Sequence, residues 1–274
     1  MHDYVRLAVG AVPTAYTGVI PEDVVDLHGV HTRFRSTHFD GFGRPDAAIS
    51  FASAASGNFS TYMGSRVTER NLEWDIDILG DQARGMDLLN RAMPFGVLRR
   101  FYIVDVGGKE VYIDGVVEKL PDDVDTSKSR TTEISVLCPF PWFTSVQRHE
   151  KVMLEGQPLD VETDGDIDAG FSLHITNGAE VTGLRLEDNR GNSIGLAGSV
   201  QFGNLANDNN PAICTVDGSI GTYNSGGKLQ FARVASGAEW FQIPHDGIRI
   251  TLSAQGGMPS GVLRWHDYYS GVTM

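Results

Sequence analysis

ISVLCPFPWFTS, residues 134–145, reads as a β-strand that runs into two prolines and a Trp-Phe pair. Ile134, Val136, Leu137 and Cys138 are apolar and suit a buried strand. Pro139 and Pro141 have no N–H to give to a ladder, so the strand must end there. The stretch lies near the middle of the 274 residues, a length comfortable for two domains. It is therefore expected to be the last core strand of a first domain, 1–146, with a second domain over 147–274. Pro139 and Pro141 would fix the chain's exit. Trp142 and Phe143 would pack over the domain seam.

Upstream, the pattern is mixed α and β. In NLEWDIDIL, 71–79, Leu72, Trp74, Ile76 and Ile78 alternate with Glu73, Asp75 and Asp77, the mark of a half-buried strand. GDQARGMDLLNRAMPFG, 80–96, places Ala83, Met86, Leu89 and Met93 near helical spacing. Asp81 is available to cap it, and Pro94 with Gly96 to stop it. Gly85 inside this helix costs about 1 kcal/mol against Ala, so packing has to hold the helix. LRRFYIVDVGGKEVYIDGVVEKL, 98–120, predicts a hairpin with a two-residue turn at Gly107-Gly108.

Downstream of about residue 150 no helical period is visible. Short β runs appear instead: FSLHIT, VTGLRLED, SIGLAGSVQF, AICTV, KLQFARV, AEWFQI, IRITLS and VLRWHDYY. Glycine, asparagine and aspartate turn signals separate them. This spacing predicts an antiparallel sandwich or jelly roll.

Composition excludes several functions. The formal net charge is -13 with 32 glycines, and it divides evenly, -6 before Gln147 and -7 from there on. Bare nucleic acid and anionic membranes should repel such a chain. No run of 18 apolar residues predicts a membrane span, and the N-terminal sequence has no signal-peptide pattern. Cys138 and Cys214 lie far apart with no CxxC partner, which suits reduced, buried thiols made in a cytoplasm.

The motifs that could carry chemistry are incomplete. GNSIG, 191–195, matches G-x-S-x-G, but no helix follows Ser193, so a glycine-rich turn is the better reading. DVETDGDID, 160–168, begins like a calcium loop, yet its twelfth place is Phe171 rather than a bidentate glutamate. His28, His31 and His38 lack completing metal ligands. No catalytic residue, cofactor or metal is expected, and the chain is not read as an enzyme. Trp240, Trp265 and Tyr268 could form a sugar-stacking platform, or simply core and edge packing. Glu73, Asp75 and Asp77 form an acidic row that is either a solvent face or the lining of an opening where negative charge is useful.

Taken in order, strand RNLEWDIDIL, helix GDQARGMDLLNRAM, hairpin RRFYIVDVGGKEVYIDGVVE and the Pro-aromatic end of ISVLCPFPWF resemble the distal tail protein family of long-tailed phages and prophages. GNSIGLAGSVQFG, AICTVDGSIGTY, AEWFQIPHDGIRITLSA and GVLRWHDYYSG resemble that family's galectin-like second domain. The resemblance spans roughly residues 60–274 and includes no long insertion. It implies a mainly β chain: an α+β first domain, a barrel-like sheet with one helix, followed by a galectin-like sandwich. It implies a structural virion protein at the tail tip, a homo-hexameric ring joining the tail tube protein to the tip or hub protein. DNA would pass through its channel without specific binding. A receptor-binding protein or host glycan would be a further partner. The alternative function is a carbohydrate-binding module acting through the second domain.

Overall fold

The computed structural model describes residues 5–29, 32–53, 60–119, 131–175, 180–196, 199–201, 212–216, 220–225, 228–229, 236–239 and 241–274. The chain is mainly β, as its alternating patterns predict, and forms two compact units. The first comprises Met1–Val146 with Tyr269–Met274, and the second Gln147–Tyr268. The second unit is thus inserted in the first, and the last six residues belong to the first unit rather than to the sandwich.

In the first unit the strands are β1 (Arg6–Ala11), β2 (Val25–His28), β3 (Phe34–Asp40), β4 (Ala47–Ser53), β5 (Ser60–Val67) and β6 (Arg70–Ile78). The helix α1 (Gln82–Ala92) follows, then β7 (Leu98–Val104), β8 (Glu110–Lys119), β9 (Thr131–Cys138) and β10 (Phe143–Ser145). The main antiparallel sheet runs β2-β1-β7-β8-β9-β6-β3. Its two outer strands are tied by a side chain rather than a ladder: the Ser36 hydroxyl on β3 donates to the Leu27 carbonyl on β2 at 2.9 Å. The sheet therefore curls towards a barrel, bringing its two ends together.

Helix α1 begins where the sequence signals it. The Asp81 carboxylate accepts from the Arg84 N–H at 3.1 Å and satisfies one of the helix's first free donors. Leu89 and Met93 are fully buried in the core beneath. Gly85 is there for space: a Cβ on it would lie 2.3 Å from the Ile78 Cγ2. The lost helix propensity is the condition for laying α1 against β6.

The β7–β8 connection departs from the two-residue turn that Gly107-Gly108 predict. The last ladder pair is Val104 with Glu110, so five residues make the turn. The Asp105 carboxylate accepts from the Lys109 N–H at 2.9 Å, and its carbonyl accepts from Gly108 at 2.9 Å. Only Gly108 takes a left-handed φ, +80°. An aspartate able to bond its own turn outweighs the double-glycine signal.

The opening stretch ends differently from its prediction. β9 stops at Cys138, but after Pro139–Trp142 the chain rejoins the same sheet as β10. Thr144 and Ser145 pair with Tyr112 and Val111 of β8, further along the edge that Val116 and Val117 give to β9. The prolines therefore mark a jog within one sheet. Phe143 is 0% exposed in the first unit's core, stacked on Phe42 at 6.3 Å, so it is core and not a seam residue. Pro139 is exposed, Pro141 buried and Trp142 half-buried.

The second unit holds β11 (His149–Leu154), β12 (Pro158–Val161), β13 (Phe171–Ile175), β14 (Glu180–Thr182), β15 (Arg185–Asp188) and β16 (Ser193–Gly195). It continues with β17 (Ser199–Gln201), β18 (Ala212–Val216), β19 (Ile220–Ser225), β20 (Lys228–Leu229), β21 (Ile248–Ser253) and β22 (Ser260–Trp265). One sheet runs β11-β22-β13-β18-β19-β20 and another β12-β21-β15-β16. Their inner faces share one core: Leu173, Leu263 and Met153 from the first sheet meet Leu186, Ile250 and Leu252 from the second. That is a sandwich. β11, β12 and β19 have no counterpart among the predicted runs. AEWFQI is not a strand among the described residues; it offers Ile243, 0% exposed, to the core and a single bridge to Ala169.

Candidate functional site

β6 sets up the acidic row. Its apolar residues point inward, Leu72 and Ile76 at 0% and Trp74 and Ile78 at 1% exposure, which forces Glu73, Asp75 and Asp77 to the outer face. There each carboxylate has a local partner. The Asn71 side-chain amide donates to Glu73 at 2.7 Å. The His38 Nδ1 lies 2.8 Å from Asp75, and the Thr131 hydroxyl donates to Asp77 at 2.5 Å. Neighbouring strands add Asp40 opposite Glu73 and Glu133 opposite Asp75. Arg35 stands opposite Asp77, and Lys119 pairs with Glu133 at 2.7 Å. The face is therefore acid-rich but interleaved with cations.

His38 reaches this face because β3 bulges between Thr37 and Asp40, where His38 takes a φ of +54°. The bulge turns its ring towards Asp75. Of its sequence neighbours, His28 lies edge-on to Phe39 at 5.7 Å, and burial lowers its pKa. His31 lies outside the described residues. Among the described residues, His28 and His38 belong to no cluster of metal-ligating side chains.

β4 and β5 form a hairpin of seven pairs that joins no other strand among the described residues. From Ala47 to Ser65 the sequence carries no charged residue. A lone two-stranded ribbon is marginal in water, and its bare edges invite another strand.

Arg70, at the start of β6, is the main buried cation of the first unit and 3% exposed. Its guanidinium donates to the carbonyls of Gly41 (2.8 Å), Gly43 (2.9 Å) and Ser270 (2.6 Å). Burial lowers its pKa to about 10. Gly41 sits at φ +76°, and a Cβ there would lie 1.9 Å from the Asn71 carbonyl oxygen, so only glycine lets this loop reach the guanidinium. Across the ladder Cys138 is buried and free, and desolvation pushes its thiol up to about 12.

In the second unit the Ser193 hydroxyl accepts from Arg185 at 3.0 Å, and a cationic donor cannot act as the base a nucleophile needs. The preceding turn is built by Asp188, which accepts from the backbone N–H groups of Arg190 and Asn192. In DVETDGDID, Asp160 is held by two guanidinium nitrogens of Arg249, Nε and Nη2, at 2.7 and 3.1 Å, which keep its pKa below the usual carboxylate range. Trp265 is 3% exposed and donates to the Glu162 carbonyl at 3.2 Å, so its ring is not available to stack on a sugar from solvent. Tyr268 is half-buried, and Trp240 lies outside the described residues.

No protein-family model matches the sequence, and no curated protein matches it. The fold is similar to solved structures. The Dit (gp 19.1) protein of phage SPP1, described as a paradigm of the hub adsorption apparatus in phages infecting Gram-positive bacteria, superposes with a TM-score of 0.64 at 12% identity. The likeness covers 96% of this chain and 98% of that one. The phage P2 baseplate in its activated conformation with Ca gives a TM-score of 0.48 at 10% identity, over 95% and 98% of the two chains, too low to carry an argument. Sequence signals had missed Arg70 and the hairpin: a lone arginine carries no motif, and an uncharged run has no fixed partner until the ladder is seen.

Proposed function

We propose that this chain is a structural virion protein of a phage tail, a distal tail protein. In this reading six copies close into a ring at the tail tip that joins the tail tube protein to the tip or hub protein and leaves a channel for DNA. The protein is made in the host cytoplasm and works in the virion. The observation that carries this reading is the likeness to a phage hub protein over nearly the full length of both chains. The β4–β5 hairpin supports it, because a ribbon whose only charged residue is Arg66, and which pairs with no further strand among the described residues, is an edge for a second copy. The acid-rich outer face of β6 supports a channel role, since like charge keeps a polyanion off a wall.

Labelling tests the placement. Antibodies raised against the purified chain should decorate the tail tip of virions produced from the genome that encodes it. Virions that carry no label, or label confined to the capsid, would sink the proposal.

A further inference from the structure

We propose that His149, Asp164 and Asp267 form a mononuclear site in the second unit for a divalent metal of the zinc class. Three separate segments supply the donors. His149 opens β11, Asp164 lies between β12 and β13, and Asp267 follows β22. One ligand atom from each lies within 4.8 Å of the other two, an arrangement no other His, Cys, Asp or Glu trio reaches among the described residues.

The geometry is set by groups around the trio. The Asp267 carboxylate is buried, with its Oδ1 held by the Thr163 hydroxyl at 2.6 Å and the Asp164 N–H at 3.1 Å. This leaves Oδ2 facing the His149 Nε2 at 2.8 Å. The imidazole lies flat on the Trp265 indole, 5.1 Å between centroids and 16° between planes. Packing therefore fixes the ring, and outer hydrogen bonds fix the carboxylate, as they do around metal ligands generally.

Asp164 is the feature that points to a cation. Among the described residues its carboxylate makes no hydrogen bond or ion pair of its own, yet it converges on the buried carboxylate of Asp267. Two carboxylates brought together cost free energy unless a positive charge lies between them; the His149 imidazole already pairs with Asp267, and a bound cation would neutralise Asp164 as well. Metal–ligand bonds of about 2.1 Å place tetrahedral donors about 3.4 Å apart. Rotation of the exposed Asp164 side chain closes the remaining gap, and its open side leaves a fourth position for water. One imidazole and two carboxylates suit zinc and its neighbours, whereas calcium wants six to eight oxygens.

The test uses the full chain, stripped with a chelator and titrated with zinc against a chromophoric competitor. One equivalent of zinc should bind per chain. Asp164→Asn and His149→Gln should each weaken it about tenfold or more. Asp164→Asn should fold as the parent does without metal, because the side chain is exposed. The proposal is overturned if zinc does not bind saturably. It is also overturned if both variants keep the parent's affinity, which would place the metal on other histidines. Binding of calcium with which zinc does not compete would overturn the assigned metal class.

Discussion

The guanidinium of Arg70 lies 4.5 Å above the ring centroid of Phe143, the residue that follows the double-proline jog. The same guanidinium holds the Gly41–Gly43 loop and Ser270 of the returning C-terminal segment. That segment is held again by the Val272 N–H on the Phe42 carbonyl at 2.9 Å. One cation thus joins the loop after β3, the end of the β9–β10 jog and the last residues of the chain. Arg70→Lys keeps the charge but loses the fork and its fit over the ring. It should lower the first unit's unfolding free energy by roughly 2–4 kcal/mol, since hydrogen bonds from a charged donor are among the stronger ones. Urea denaturation followed by tryptophan fluorescence reads this, and a cost near zero would show that the node holds nothing.

Gly85→Ala should destabilise by about 1–3 kcal/mol, although alanine is the better helix former. The added methyl would meet Ile78 at 2.3 Å. In an Ile78→Ala background the same change should cost much less. Equal costs in both backgrounds, read by a double-mutant cycle, would refute the packing account.

Phe143→Ala should cost about 3–5 kcal/mol of first-unit stability, the range for emptying a buried aromatic site. Trp142→Ala, at a half-buried position, should cost clearly less. Calorimetry on both variants checks the order, and a larger loss at Trp142 would reverse the placement of this pair.

Cys138 should resist a thiol reagent at pH 8 in the folded chain, because burial holds its thiol at about 12. It should react at once in denaturant. Asp160 should titrate below an ordinary aspartate, because Arg249 binds its charged form. A depressed carboxylate contributes stability above its unfolded pKa and loses it as pH falls through the folded value. NMR titration should show Asp160 returning towards the ordinary range in Arg249→Gln; no change would remove Arg249 as the cause.

Neutralising the acidic row with Glu73→Gln, Asp75→Asn and Asp77→Asn should leave the fold intact, since all three sit on the outer face of β6. Virions carrying the triple change should assemble but deliver DNA less well. Unchanged infectivity would reduce the row to a solvent face.

Much of this was legible beforehand, for physical reasons that differ by element. β6 and α1 were plain because period and cap agree: NLEWDIDIL alternates strictly, and Asp81 caps where the helix pattern begins. The β7–β8 turn was misjudged because Asp105 bonds its own turn, a contact that a glycine pair does not announce. The fate of Phe143 depended on β8 having a free edge beyond its pairing with β9, which only the sheet order reveals. For Trp265 the sequence left a sugar platform and core packing both open; strand alternation turns it to the core beneath His149. The trio of His149, Asp164 and Asp267 spans 118 residues from first to last, and no spacing rule reaches that far.

The central claim is that copies of this chain close into a ring. The most direct measurement is the mass of the purified full chain in solution, alone and mixed with the tail tube protein, with electron microscopy of the same sample. A six-fold mass and rings with a central opening are predicted, both lost when the β4–β5 hairpin is replaced by a short turn. Single copies without rings in both samples would contradict the account.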